Sequence, residues 1–518
     1  MAILVTAVLL LGAAAALAIL RVVQPRFRHD WLLAIAATSA AWLSVLLWVP
    51  RLPIGLLVPL WQSTGSLNSF ATFMVSTASW PYALGLVSVA LAVVLTAPAR
   101  PNFPSPSSWT LCLCIAGLGV LAVAAEGPLT LVLFWAGLDL VEAGVLLARA
   151  EKQSSSRQVP YAFTVRLGSM ALVLFALVLG DTVETGAGFG EIQGPGALLL
   201  PGAALLRLAA FAVPWPRSLS SPAIDEVGTI LHFAAGASAI AFLSQMRPEA
   251  QGNAPGLLVV CLVAALYASW MWLRAPDSQS GRPLWILGTG SLAVAAALRG
   301  NPIGATGWGV GMLLAGSSLF LAAIPERWMN RALLLGLWMC SSMPVTVTAA
   351  AWVDGGGVSD WIVPGFLIAQ AMLLAGLFHR ALRPDMGTSP RIEVAALGAI
   401  YRAGISLPMA VGILLGIWGW PGAFQLGSPL AGAAVIFLVA ALVWAKRRFS
   451  TLNPVLDQWF APAWPRGSSF IEGELNRLEA GFQRAAGAIT RTIEGEAGIM
   501  WSILFLVLFV SLISKGDR

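Results

Sequence analysis

Long apolar runs recur along the whole chain, and they constrain its fold more than any other feature. Sixteen stretches reach the length of about 20 apolar residues with which an α-helix crosses a bilayer, the first at 2–23 and the last at 497–514. Hydrophobic residues make up 58% of the 518 and charged residues only 10%, whereas soluble domains carry about 25% charged residues. The sequence predicts an all-α polytopic membrane protein of about 14–16 transmembrane helices, some of them broken by proline.

Arginine and lysine alternate between successive connections. Most lie after the odd-numbered runs, namely Arg21, Arg26, Arg28, Arg100, Arg149, Lys152, Arg157, Arg217, Arg274, Arg282, Arg327, Arg331, Arg380, Arg383, Arg391, Lys446, Arg447 and Arg448. The other connections hold only Arg51, Arg247 and Arg299. Because basic loops stay in the cytoplasm, we expect both termini on the non-cytoplasmic side of a bacterial or archaeal cytoplasmic membrane.

Three prolines interrupt the predicted helices. Pro214 ends the seventh run, Pro344 lies in the middle of the twelfth run (330–352), and Pro408 lies in the fourteenth. Proline removes a backbone donor and frees a carbonyl. Such breaks are frequent at ion sites of transporters, although simple kinks are commoner, so these positions are candidates only.

The segment after the fifteenth run has a different pattern. Apolar residues recur at spacings of three and four between 471 and 489, which predicts an amphipathic helix. It lies on the cytoplasmic surface or against partner subunits, or it only covers its own protein. We expect six parts: spans 1–3 (1–108), a first helical repeat (109–246), a second helical repeat (255–381), spans 14–15 (393–448), a cytoplasmic connection with the amphipathic helix (449–495), and a final span (496–518).

Ionisable residues inside the spans are the candidate functional residues. Asp139 and Glu142 lie three apart in the fifth run and share one helix face, while Arg166, Arg207 and His232 lie in runs six, seven and eight. Ionisable groups in hydrocarbon are costly, so a pathway or a paired network is the default hypothesis. Two interpretations stay open: a chain of proton-exchanging groups, or acid–arginine pairs that neutralise one another and fix helix packing.

Cofactor signatures are missing from the sequence. It has no CxxC, no paired intramembrane histidines for haem and no Gly-rich nucleotide loop, so we expect no cofactor, no metal and no redox site of its own. Whether it belongs to an enzyme complex, such as an oxidoreductase or a hydrogenase, stays open. The net charge of +6 is explained by arginines at helix ends, and no nucleic acid is expected as a partner.

Two stretches resemble a known family. "YAFTVRLGSMALVLFAL" (161–177) is similar to the sixth helix, and "TILHFAAGASAIAFL" (229–243) to the eighth helix, of the antiporter-like membrane subunits of respiratory complex I, membrane-bound hydrogenases and Mrp-type cation/proton antiporters. Arg166 and His232 fall on the arginine and histidine of that family. The resemblance implies a proton- or cation-translocating subunit of a multi-subunit redox or antiporter complex, with other membrane subunits and the lipid bilayer as partners.

Departures from the family pattern imply a degenerate proton path. Trp135 is followed by Ala136 where the family has glutamate, and Ser169 stands where it has aspartate. The family places lysines on its central path, but the lysines here are Lys152, Lys446 and Lys515, all outside the runs. Arg207 cannot replace a lysine because arginine hardly releases its proton.

Three classes of function therefore remain open after the sequence alone. The first is an ion-translocating subunit in which Asp139 takes over the role of the missing glutamate. The second is a non-pumping paralogue that scaffolds such a complex. The third, a self-contained solute transporter, would need matching sites in two halves, and the second repeat carries almost no charge.

Overall fold

A computed structural model gives the fold. It describes residues 2–24, 29–59, 70–99, 106–150, 158–180, 188–212, 225–246, 254–275, 277–322, 327–353, 360–382, 395–419 and 428–448. Pro214, the predicted amphipathic helix and the predicted final span lie outside the described residues. The described residues up to Ala445 belong to one compact unit, Met1–Ala445, and the second unit begins at Lys446.

Fifteen α-helices form the described part of the protein. They are α1 (Ala2–Val23), α2 (Asp30–Leu46), α3 (Trp80–Thr96), α4 (Pro106–Val123), α5 (Pro128–Ala150), α6 (Gln158–Leu179), α7 (Gly194–Ala212), α8 (Asp225–Ala241), α9 (Pro255–Arg274), α10 (Ser278–Leu298), α11 (Pro302–Leu321), α12 (Arg327–Met339), α13 (Val363–Leu382), α14 (Ala395–Trp418) and α15 (Pro429–Arg448). Six of them are long and apolar enough to cross a membrane. The predicted all-α polytopic membrane fold is confirmed.

Burial separates inner helices from outer ones. Nearly every residue of α3, α10 and α11 is buried, because small residues on these helices let their neighbours approach closely. The outer helices α1 and α9 bury one stripe each and expose apolar side chains such as Val8 (66% exposed) and Val263 (60%). In a bilayer these outer faces meet lipid or other membrane helices.

A β-hairpin covers one end of the bundle and was not predicted. Strands β1 (Ile54–Pro59) and β2 (Phe70–Val75) pair antiparallel. The connection between α4 and α5 joins them: the amide of Met74 donates to the Ala124 carbonyl (2.8 Å), and the amide of Glu126 donates to the Thr72 carbonyl (3.1 Å). A search for runs long enough to span a membrane passes over strands of this length.

The prolines act differently from one another. Pro408 lies inside α14, which continues through it, as does α7 through Pro201. The predicted twelfth span, 330–352, is helical only as far as Met339. An irregular stretch holding Pro344 follows, and a 3-10 turn, Ala349–Trp352, comes after it. Proline at 344 removes a donor and excludes the helical carbonyl four residues before it, so this helix stops early.

Candidate functional site

A cluster of four charged side chains lies inside the bundle. We call Asp139, Glu142, Arg166 and Arg207 the charge cluster; α5 supplies the acids, α6 supplies Arg166 and α7 supplies Arg207. All four are buried, with exposed fractions of 7% or less. The three-residue spacing of the acids turns both toward α6 and α7, as the helical period requires.

Hydrogen bonds join the four side chains into one network. Arg166 donates from both Nη atoms to the Glu142 carboxylate, the Nη2–Oε1 distance being 2.9 Å. Arg207 likewise donates two hydrogen bonds to the Asp139 carboxylate, at 2.8 Å from Nη2 to Oδ1 and 3.2 Å from Nη1 to Oδ2. Arg166 Nη1 also reaches Asp139 Oδ1 at 3.4 Å. Each arginine thus makes a two-bond fork with one acid, and Asp139 links the two forks.

Aromatic rings cover the faces of both guanidinium groups. The Arg207 Cζ lies 4.3 Å from the ring centroid of Trp135, and the Arg166 Cζ lies 5.0 Å from that of Phe211 and 5.7 Å from that of Phe163. Cation–π contacts of this kind add to the ion pairs where water is excluded. Of these rings, the sequence analysis named only Trp135, and not as a partner of Arg207.

His232 lies beside the charge cluster without joining it. Its ring packs edge-to-face on Phe211, with the ring centroids 5.3 Å apart, and Phe211 in turn covers Arg166. The His232 Nδ1 is buried without a hydrogen-bond partner. In the described part of the chain, no hydrogen bond joins His232 to the four charged residues. One aromatic ring separates the imidazole from the network.

The positions that depart from the family pattern are occupied by neutral contacts. Ser169 donates its hydroxyl proton to the Arg166 carbonyl at 2.6 Å, so its side chain bonds back to the preceding turn of α6. The Trp135 Nε1 donates to the Ser238 hydroxyl at 3.0 Å, which ties α5 to α8. Ala136, at the site of the family's glutamate, is partly buried and carries no proton-exchanging group.

A second buried polar network lies where α12 ends, and it is uncharged. We call residues 340–353 the linker. Gln370 of α13 is completely buried; its Nε2 donates to the Cys340 carbonyl (2.9 Å) and to the Ser342 hydroxyl (3.0 Å), and its Oε1 accepts from Trp352 Nε1 (2.8 Å). Sequence analysis missed Gln370, although an amide within an apolar run is a usable signal.

The linker is also tied to the start of α11. The Asn301 side chain donates to the carbonyls of Ala350 (2.7 Å) and Val353 (3.2 Å), and its Oδ1 accepts from the Gly304 amide (2.7 Å). It therefore caps α11 and holds the linker at once. Pro344 lies within this neutral surrounding.

An acidic pair lies at the hairpin end of the bundle, outside the helices. The connection between α4 and α5 holds Glu126, and a short 3-10 turn, Phe189–Glu191, lies beside it. Burial raises the pKa of Glu126, and repulsion from Glu191 raises it further. This pair is not part of the charge cluster. Among the described residues, no group of three or more histidine, cysteine, aspartate or glutamate side chains is arranged to hold a metal.

Solved structures share this fold. A chain of the Mrp complex from Dietzia sp. DQ12-45-1b matches 100% of this chain at 16% identity and a TM-score of 0.69; the present chain spans 63% of its length. Two chains of respiratory complex I from Thermus thermophilus match at a TM-score of 0.59, with 16% and 17% identity, and cover 82% and 85% of this chain and 99% and 100% of their own length.

No family model matches the sequence, and no curated protein is similar to it by sequence. The likeness to the solved structures, at identities below one in five, shows the fold. It agrees with the resemblance of 161–177 and 229–243. The chain has the fold of these chains of the Mrp complex and of respiratory complex I.

Proposed function

We propose that this chain is a membrane subunit of a multi-subunit complex of the Mrp or complex I kind, and that it serves there as a structural member that does not carry ions across by itself. One observation carries the proposal: the two acids of the charge cluster are matched in number by two arginines that bond to them. The formal charges of the four side chains therefore sum to zero, although the Nε atoms of both arginines are buried without a partner.

A relay carboxyl must take up and release a proton during each cycle. Protonation of Asp139 or Glu142 would leave the two buried guanidinium groups with one carboxylate between them, and an uncompensated buried charge is strongly destabilising. The arginines themselves do not release protons near neutral pH. The cluster is thus suited to fixing α5, α6 and α7 against one another rather than to passing protons.

The helices α9–α13 contain no aspartate, glutamate or lysine, and their single histidine, His379, lies in the last turn of α13. No acid or lysine therefore continues a path from the charge cluster through these helices. The buried network around Gln370 consists of an amide, hydroxyls, an indole and backbone groups. None of these exchanges protons readily at neutral pH.

Translocation of protons or another cation through a degenerate path is the second candidate. His232 favours it, because its buried Nδ1 lacks a partner and the imidazole lies one ring away from Arg166. Histidine is the side chain whose ordinary pKa suits proton exchange near neutral pH. This candidate requires the network to open transiently.

Membership of a complex is tested on the tagged chain expressed in its own host membrane. After mild detergent extraction, we expect it to migrate on a native gel together with other membrane subunits, as a particle larger than one chain. A chain that runs as a lone monomer under conditions that keep a known respiratory complex intact would contradict the proposed membership.

Ion movement is tested on the purified complex in liposomes, with proton uptake followed by a pH-sensitive dye. The double variant Glu142→Gln with Arg166→Gln removes one acid and one base and leaves the Asp139–Arg207 fork in place. We expect assembly and uptake to match those of Arg331→Gln, a control on the exposed face of α12. Loss of uptake by an assembled double variant, or by His232→Gln, would establish translocation instead.

A further inference from the structure

The linker between α12 and α13 holds a strained backbone. Ser342 has φ of +57° and Val345 has φ of +64°, a region that β-branched residues such as valine almost never adopt. Conformations of this kind persist only where the surroundings over-determine them. The contacts around the linker therefore impose its shape.

Glycines on three helices let the linker sit against them. A Cβ on Gly307 of α11 would lie 2.5 Å from the Val347 carbonyl oxygen. On Gly416 of α14 it would lie 2.7 Å from the Val345 oxygen, and on Gly432 of α15 it would lie 2.9 Å from the Ser342 oxygen. Each distance is too short for a real Cβ, so the linker lies directly on helix backbones.

Several polar groups of the linker are hydrogen-bonded within the protein. Thr348 accepts from the Ser342 amide at 3.0 Å and donates to the Met339 carbonyl at 3.0 Å, which closes the end of α12. Gln370 supplies the contacts across to α13. Both donors and the acceptor of its amide are used, and a carboxylate in its place would lose the donors.

We propose that the linker is a fixed plug that closes the α9–α13 half of the protein to water and ions, with Gln370 as the residue that positions it. The proposal deepens the structural role given above and rests on it. An unwound helix segment that serves as an ion site needs free carbonyls or hydroxyls facing a cavity. Here Gln370 donates to the Cys340 carbonyl and the Ser342 hydroxyl, and Thr348 donates to the Met339 carbonyl. At the three glycines the linker lies against the helix backbones, while Val345 is 47% exposed.

Cys340 is a native reporter of this plug. It is fully buried, its carbonyl accepts from Gln370, and its Sγ would lie 3.1 Å from a Cβ on Gly311. We would replace Cys112, Cys114 and Cys261 by alanine in the full-length chain. The rate at which Cys340 then reacts with a membrane-impermeant maleimide measures how often the plug opens to water.

In the otherwise unchanged protein we expect Cys340 to react only after denaturation. In Gln370→Met, which keeps the volume but makes none of the three hydrogen bonds, we expect labelling of the native protein to speed up by about tenfold or more. Ser342→Ala removes a single bond to Gln370 and should give a smaller increase, which keeps the test informative if Gln370→Met fails to fold. Thr289→Ala is the control, because its hydroxyl bonds only within α10.

Rapid labelling of Cys340 in the unchanged protein would overturn the proposal, since the plug would already be open. Protection that persists in both Gln370→Met and Ser342→Ala would overturn the role of Gln370. Labelling reads the chain itself, so it is independent of subunit membership and of proton uptake in liposomes. If Cys340 is protected but the variants of the charge cluster lose uptake, the plug is supported and the structural role is refuted. If Cys340 reacts rapidly but uptake does not depend on the charge cluster, the structural role is supported and the plug is refuted.

Discussion

The charge cluster and the linker both hold polar groups at buried positions of the bundle, and they satisfy these groups by different chemistry. The cluster uses four full charges, whose worth depends on every member keeping its partner. The linker uses neutral hydrogen bonds, each of which contributes a modest amount and can be lost singly. Matched charges join α5, α6 and α7, whereas hydrogen bonds and close backbone packing hold the linker against α11 and α13.

Arg207→Ala should give the largest effect in this comparison. Arg207 is fully buried, and its removal leaves Asp139 with only the 3.4 Å contact to Arg166. Removing one partner of a buried pair costs about 3–5 kcal/mol. We would measure the free energy of unfolding by denaturant titration in detergent micelles.

Arg331→Ala is the matched control for this measurement, because Arg331 is exposed on α12 and a surface substitution changes stability by about 0.5 kcal/mol at most. An equal loss of unfolding free energy in Arg207→Ala and in the control would contradict the difference drawn between the charge cluster and the linker. It would mean that the forks contribute nothing to the folded state.

Asn301→Ala should have an intermediate effect, in the neutral half. It removes a helix cap and two hydrogen bonds to the linker, for a cost of about 1–3 kcal/mol. Asp277→Ala is the control. It removes the cap of α10, where the Asp277 carboxylate accepts from the Ser280 amide, and leaves the hydrogen bonds of the linker in place. A cost no greater than that of the control would show that Asn301 does not hold the linker.

Glu126→Gln should have the smallest effect, and its sign depends on pH. Because folding raises the pKa of Glu126, ionisation of this side chain weakens the folded state as pH rises through that pKa. The neutral amide should therefore raise the melting temperature in detergent at neutral pH and leave it unchanged below the ordinary pKa of 4.5. Within the described ranges of the chain, no arginine forms a fork with Glu126, unlike the acids of the charge cluster.

The control for this pH dependence is Glu191→Gln, which removes only the repulsion, the lesser of the two causes. It should give a smaller rise in melting temperature at neutral pH. A lower melting temperature for Glu126→Gln at neutral pH would contradict the assignment of a raised pKa.

Sequence patterns predicted the helices well and the network only in part. Apolar runs predict where helices cross a bilayer, and an acid spacing of three predicts a shared face. Pairing of Asp139 and Glu142 with arginines was one of the two interpretations that the sequence left open. Which arginine pairs with each acid depends on how α5, α6 and α7 pack. Local sequence patterns do not contain that information. Whether the cluster moves protons stays a prediction.

The early end of α12 was beyond sequence reasoning for a related reason. Pro344 predicted a break somewhere in 330–352, but a proline kinks one helix and ends another, as the continuous α14 around Pro408 shows. The outcome at the linker depends on Gln370 and on Gly307 and Gly416, which come from other helices. Positive φ at Val345 follows from that surrounding and not from valine itself.

The contact of the β-hairpin with the α4–α5 connection has a consequence for how the protein is made. Met74 and Thr72 bond to residues 124 and 126, and both α3 and α4 lie between these partners in the chain. The two partners reach the same side of the membrane only after both helices have been threaded across it. During synthesis, these two hydrogen bonds can therefore form only after α3 and α4 have both been inserted.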